Sequence, residues 1–183
     1  MLGLARGAPG LVVTAPRAVG VRLPYDAVPA TVRTWAEQTL GSPVAAVAEQ
    51  VGGMSPGCAT RLTCADGTRA FVKAVGASLN PDTPGLFRRE IGVLTHIGAH
   101  PLWARMLASY DDGDWVALLI EDVEGRHPDF SDDAELAAVL DGTERLSEVL
   151  QGLEVPPSVN LVDVGFVFHT WAKTLDGLEE APP

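Results

Sequence analysis

CATRLTCADGTRAFVKAV, residues 58–75, is the stretch on which the reading of this chain turns. Asp66-Gly67 is a strong hairpin signal, so residues 58–64 and 69–75 read as antiparallel strands paired with each other. Strict alternation along the second strand puts Lys73 on the same face as Phe71 and Val75. A lysine on an apolar face needs a counter-charge or a route to water, because an uncompensated buried ion costs on the order of several kcal/mol.

Upstream, residues 44–51 are small and β-compatible and join 58–64 through the glycine-rich turn VGGMSPG, residues 51–57, which makes a three-strand meander. Residues 29–40 form a short helix with Pro29 at its first position, Val32, Trp35 and Leu40 apolar, and Gly41 ending it. Residues 1–24, rich in Gly, Ala and Pro, read as a poorly ordered leader. Downstream, Thr83 caps a helix that has Pro84 at its first position and runs to Gly98. Strands over 105–110 and 115–120 follow, joined through Asp111, Asp112, Gly113 and Asp114. Residues 133–150 read as a helix with Leu136, Val139, Leu140, Leu146, Val149 and Leu150 apolar and Gly142 as its weak point. A last helix over 161–175 carries Leu161, Val164, Phe168, Trp171 and Leu175 on one stripe.

Composition narrows the function classes. A chain of 183 residues can hold a real core, and 46% hydrophobic against 20% charged residues excludes disorder as the dominant state. The net charge of -11 leaves no basic patch for a nucleic-acid backbone, so no nucleic-acid partner is expected. Cys58 and Cys64 lie too far apart along one strand for a disulfide and read as core thiols of a cytoplasmic protein. The clean apolar run 115–120 is far too short to span a bilayer, and Gly7, Pro9, Gly10 and Pro16 interrupt any signal-peptide core, so no membrane partner is expected.

On the helix that begins near Pro84, Leu86, Glu90, Val93, Leu94 and Ile97 share a stripe, which puts Glu90 on the face expected to be buried. Two opposite charges on two apolar faces imply the pair Lys73–Glu90. The plainer alternative has Lys73 snorkelling to solvent and Glu90 at the edge of its stripe beside Arg88 and Arg89. Gly52, Gly53 and Gly57 supply backbone N–H groups able to fold over phosphates, with Ser55 as a hydroxyl donor. A plain hairpin loop is the competing reading of that turn. A P-loop is excluded, since no Gly-Lys-Ser or Gly-Lys-Thr follows.

In order, the glycine turn, the strand lysine and the helix glutamate resemble the ATP-binding lobe of the protein-kinase-like fold. The segments GGMSPG (52–57), FVKAV (71–75), FRREIGVL (87–94) and VALLIEDVEGRHP (116–128) resemble most the aminoglycoside phosphotransferase family, over roughly residues 43–128. The resemblance implies an α+β fold: a five-stranded antiparallel sheet with one key helix in 25–120, a hinge at 121–128, and the first helices of a truncated C-terminal lobe in 129–183. It also implies ATP and magnesium as cofactors and a small hydroxyl-bearing substrate, since that family phosphorylates hydroxyl groups of antibiotics, choline, sugars and related metabolites. Carried over by position, Lys73 would hold the phosphates, Glu90 would orient Lys73, Ser55 with Gly52, Gly53 and Gly57 would cover them, and backbone groups of Glu121, Asp122 and Val123 would meet the adenine. Met54 replaces the middle glycine of the kinase loop, and Phe71 replaces the alanine of V-A-I-K, where it would crowd the adenine.

The catalytic loop of such a kinase is absent from the sequence. Only Asn80 and Asn160 occur, and the positions where a catalytic aspartate would precede them hold Val75 and Val155. His127-Pro128-Asp129 reads as a turn, and Asp163-Val164-Gly165 falls inside the apolar stripe. The acidic turn 111–114 lacks EF-hand spacing, and His96, His100 and His169 share no zinc-ligand spacing with the cysteines, so neither a catalytic nor a metal residue is assigned. The leading expectation is the ATP-binding portion of a small-molecule phosphotransferase, inactive by itself. Its C-terminal apolar surface would favour self-association. The alternatives are a non-catalytic nucleotide-binding or pseudokinase-type regulatory module, and an interaction domain in which Lys73 and Glu90 only stabilise the sheet.

Overall fold

The computed structural model describes residues 22–50 and 55–156. Strands β1 (Val44–Glu49), β2 (Cys58–Cys64), β3 (Arg69–Gly76), β4 (Met106–Asp111) and β5 (Trp115–Ile120) form one open antiparallel sheet in the order β1-β2-β3-β5-β4. With helices α1 (Ala30–Leu40), α2 (Thr83–Ile97) and α3 (Asp133–Gln151), the class is α+β.

The hairpin between β2 and β3 forms at Asp66-Gly67 as expected, but through a loop of residues 65–67 rather than a two-residue turn. Gly67 takes φ 88°, a left-handed conformation open to glycine. The Asp66 carboxylate accepts the Thr68 N–H at 2.9 Å, and the Cys64 N–H donates to the Thr68 carbonyl at 2.8 Å. The register pairs Arg61 with Phe71 and Thr63 with Arg69. On the other side of β3, Phe71 pairs with Ile120, Lys73 with Leu118 and Val75 with Val116.

Each face of the sheet has its own cover. Val28, Val32 and Ala36 from α1 and the turn before it pack on Leu62, Ala70, Val72, Ala74, Ala117 and Leu119. On the opposite face Phe87 of α2 packs with Val75, Val116 and Leu118, supported by Ile91 and Leu94. Val116 to Leu119 of β5 are fully buried, which is why that strand reads as an unbroken apolar run rather than an alternating one. Cys58 and Cys64 are free, buried thiols on the α1 face of β2.

Several local expectations need correction. Thr83 does not cap α2: Asp82 is the cap residue, Thr83 is the first helical residue, and the Asn80 side-chain amide oxygen accepts from the Asp82 N–H, the Thr83 N–H and the Thr83 hydroxyl, each at 2.9 Å. Pro29 lies just outside α1, with Ala30 as the first helical residue. β1 ends at Glu49, β3 extends to Gly76, and β4 is shifted by one residue to Met106–Asp111. Leu86 is 47% exposed; the packed stripe of α2 is Phe87, Ile91 and Leu94, because the Phe87 ring is the side chain that reaches Val75, Val116 and Leu118. Gly142 does not interrupt α3, whose N-terminus is capped by the Asp132 carboxylate accepting from the Ala134 and Glu135 N–H groups. No residue of α3 is buried, so its apolar positions 136, 139, 140 and 150 remain exposed. The expected leader (save Arg22, Leu23 and Pro24), the expected helix over 161–175 and residues 51–54 of the glycine turn lie outside the described residues. No described helix is long and apolar enough to cross a membrane.

Tyr25 gives the α1 face a measurable signature. It is 6% exposed, and its hydroxyl meets no hydrogen-bond partner among the described residues. Burial, reinforced by the Glu37 carboxylate, pushes its phenol up to about 12. A raised acid of this kind holds its stabilising contribution below the ordinary tyrosine range and loses it as pH climbs toward the folded value. Urea unfolding should therefore show Tyr25→Phe to be more stable than the parent by about 1 kcal/mol, through loss of an unpaired buried hydroxyl. Between pH 10.0 and about 12 the parent should lose stability that the variant keeps.

Candidate functional site

β3 presents Ala70, Val72 and Ala74 to the α1 core, so alternation sends Phe71 and Lys73 to the other face, where only Val75 lies fully beneath α2. Phe87 anchors α2 in that core, and Glu90, one helical turn further on, shares its side of the helix. Lys73 and Glu90 form an ion pair there, with side chains 25% and 35% exposed. The Lys73 ammonium also stands 5.0 Å from the centre of the Phe87 ring, within cation–π range. The pair is thus half-buried at the margin of the α2 core, rather than sealed between two buried faces. Water reaches both groups, and a lysine carries three N–H donors, only one of which Glu90 takes.

Beyond the cover of α2 the same sheet face is half-buried along Ala59, Arg61, Phe71 and Lys73, beside the segment that follows β5. In that segment the Glu121 N–H donates to the Arg105 carbonyl at 2.8 Å, and the Glu121 side chain accepts the Arg105 N–H at 3.4 Å. The Asp122 side chain is 2% exposed and sits between two guanidinium groups, Arg69 at 2.6 Å and Arg61 at 3.3 Å. Both are ion contacts without hydrogen-bond geometry. Arg61 further donates to the Val123 carbonyl at 3.0 Å, and Arg69 pairs with Glu124. The Asp122 and Val123 N–H groups donate to no acceptor among the described residues.

The remaining expected residues are placed as follows. Gly57 is buried at the start of β2 with φ 113°, and a Cβ there would lie 2.5 Å from the Ala74 carbonyl oxygen. Its own carbonyl accepts the Leu23 N–H at 3.2 Å, so close packing against β3 accounts for the glycine. Ser55 is half-buried, and its carbonyl accepts from Arg22 at 2.7 Å. Gly52 and Gly53 lie outside the described residues. The acidic turn 111–114 is the β4–β5 hairpin, in which the Arg88 guanidinium grips both Asp111 oxygens and holds its pKa down at about 2. No group of three metal-ligating side chains converges among the described residues. A cavity of about 550 Å³ lies on the α1 face beside β1, lined by Tyr25, Arg33, Glu37 and Glu49, away from Lys73.

Arg61 and Arg69 were not marked by sequence reasoning, although the hairpin register contained the signal. Counting back through the loop 65–67, which pairs Cys64 with Thr68, places Arg61 opposite Phe71 on the Lys73 face, whereas a two-residue Asp66-Gly67 turn would have put it opposite Val72. What makes them matter, the position of Asp122, needs β5 beside β3. Together these residues define an α+β domain with a partly open strip on one face of its sheet, where Lys73, Arg61 and Arg69 are matched by Glu90, Asp122 and Glu124. No protein-family model and no curated protein matches this sequence.

The exposure of the Lys73–Glu90 pair sets its strength. In urea-unfolding measurements, Lys73→Ala, Glu90→Ala and the double variant should give a coupling of about 0.5–1 kcal/mol, the range of partly exposed ion pairs. Strictly additive losses would mean that the two charges do not support each other.

Proposed function

We propose that this chain carries the nucleotide-binding part of an ATP-dependent small-molecule phosphotransferase of the kind the aminoglycoside phosphotransferases represent. The observation that supports the reading is the Lys73–Glu90 ion pair, which joins the third strand of an antiparallel sheet to the helix that follows it. In phosphotransferases of the protein-kinase type, a strand lysine held by a helix glutamate points its remaining N–H donors at nucleotide phosphates. Lys73 has such donors to offer, at a half-exposed position beside an open strip of sheet. Asp122 and Val123 add backbone N–H groups that a base edge would use.

The residues present fit the nucleotide better than its metal. A triphosphate would bring magnesium with it, and the ion would supply charge neutralisation between phosphates. No set of three ligating side chains converges among the described residues to hold that ion. The chain's own contribution is to bind and orient: Glu90 fixes the Lys73 amine, and the amine fixes the phosphates. The sequence has no aspartate placed ahead of an asparagine as a catalytic loop requires, so the proton-accepting and metal-binding steps fall outside it. This same absence favours a second reading, a non-catalytic nucleotide-binding module.

Calorimetry with Mg-ATP should detect weak binding to the 183-residue chain, with Lys73→Ala and Glu90→Ala each weakening it about tenfold. Labelled ATP offered with a panel of aminoglycosides should give no phosphorylated product. Absence of any nucleotide binding would sink the reading and leave the pair a structural one. Product formation lost in Lys73→Ala would instead place a complete catalytic apparatus in this chain.

A further inference from the structure

We infer that Arg61 acts as a gate on the proposed nucleotide strip, latching the segment after β5 to the sheet and admitting a nucleotide base only when the latch opens. The inference rests on the nucleotide-binding reading above and adds a control to it.

The strand register shows where the latch lies. Phe71 of β3 is flanked by Arg61 on β2 and Ile120 on β5. Two residues further along the same antiparallel register, Arg69 comes beside Asp122 on the face that carries Lys73. The Arg61 side chain starts on β2 and ends at Asp122 and Val123, beyond β5, so it crosses the whole width of β3. That is two strand spacings, roughly 10 Å, covered by the extended arginine side chain together with its 3.0 Å hydrogen bond. The crossing passes between Phe71 and Arg69, over the part of the face left uncovered by α2.

A flat base bound between this strip and residues 121–123 would need the same surface. It would lie against the Phe71 side of the strip and take its hydrogen bonds from the backbone of that segment, where Arg61 already occupies the Val123 carbonyl at 3.0 Å. A carbonyl can accept two hydrogen bonds, so it is the Arg61 side chain lying across the strip, rather than the occupied acceptor, that a base would have to displace.

The latch has one fixed end and one releasable end. Asp122 is 2% exposed and keeps Arg69 at 2.6 Å even if Arg61 leaves, so no buried carboxylate is stranded by opening. Arg61 is 31% exposed and holds Asp122 at the longer distance of 3.3 Å, and its freed guanidinium would be resolvated at once. A binding-competent state populated only when Arg61 is released lowers the apparent affinity by the fraction of time the latch is shut. Removing Arg61 removes that penalty, whereas removing Lys73 removes an attraction. The two substitutions act in opposite directions, which sets a gate apart from an ordinary contact residue.

The test uses the full chain as the parent, Arg61→Ala, Arg61→Met and Lys73→Ala, with Mg-ATP affinity by calorimetry and amide exchange over residues 121–124 without ligand. Arg61→Met keeps most of the aliphatic stem and guards against a folding defect in the alanine variant. Circular dichroism confirms that each variant is folded. The expected result is that both Arg61 variants bind about tenfold tighter than the parent, the value of one hydrogen bond to a charged group. Exchange at 121–124 should also be faster in both, while Lys73→Ala still weakens binding. Unchanged or weaker binding in both Arg61 variants, with Lys73→Ala still weakening it, overturns the gate and leaves the nucleotide reading standing. No binding by the parent or by either Arg61 variant overturns both together.

Discussion

An amine on the central strand of a covered sheet is the constraint around which this molecule is arranged. β3 has a strand on either side and a helical cover on each face, so a charge on it is tolerated only where a cover stops. Lys73 stands at that limit. Val75, two residues on, is fully buried under α2, while Lys73 itself meets Glu90, the Phe87 ring and water. A longer reach of α2 over the sheet would have made the ammonium too costly to keep. A shorter one would have left Glu90 without a fixed position from which to hold it.

The same limit creates the open strip. Phe87, Ile91 and Leu94 seal the part of the face made by Val75, Val116 and Leu118, and the face beyond them carries side chains that tolerate water at one end. Arg61 and Arg69 emerge there by strand alternation, and the chain leaving β5 brings Asp122 and Glu124 to meet them. The burial of Asp122 follows from being straddled by two guanidinium groups. In a chain of net charge -11, this side of the sheet brings Lys73, Arg61 and Arg69 together, each held by a carboxylate, Glu90, Asp122 or Glu124.

The hairpin of β2 and β3 and the bounds of β2 were legible in sequence from Asp66-Gly67, but the register was not: only Gly67 takes a positive φ, and the loop 65–67 shifts the pairing by one residue from that of a two-residue turn. The boundaries of β5 were equally clear, because Trp115 to Ile120 is a short apolar run fenced by Asp114 and Glu121. The face of α2 was less so. Its residues offer two overlapping apolar stripes, one through Leu86 and one through Phe87, and only the depth of the core against β5 selects the second. The start of α2 was misplaced for a similar reason: Thr83-Pro84 has the form of a cap, while the acceptor that satisfies the helix end comes from Asn80, three residues upstream of Thr83.

By itself the sequence determined the strand alternation that puts Lys73 opposite a helix carrying Glu90, because a side-chain period of two and a helical period near four are local properties of the backbone. It also determined the class, an antiparallel sheet with a helix inserted between its third and fourth strands. Only the tertiary structure decided that β5 rather than β4 lies beside β3, a choice that separates strands adjacent in sequence. That choice places Asp122 next to Arg69 and within reach of Arg61. These contacts join residues far apart in sequence, and their energies depend on burial and distance, which come into being when the sheet closes.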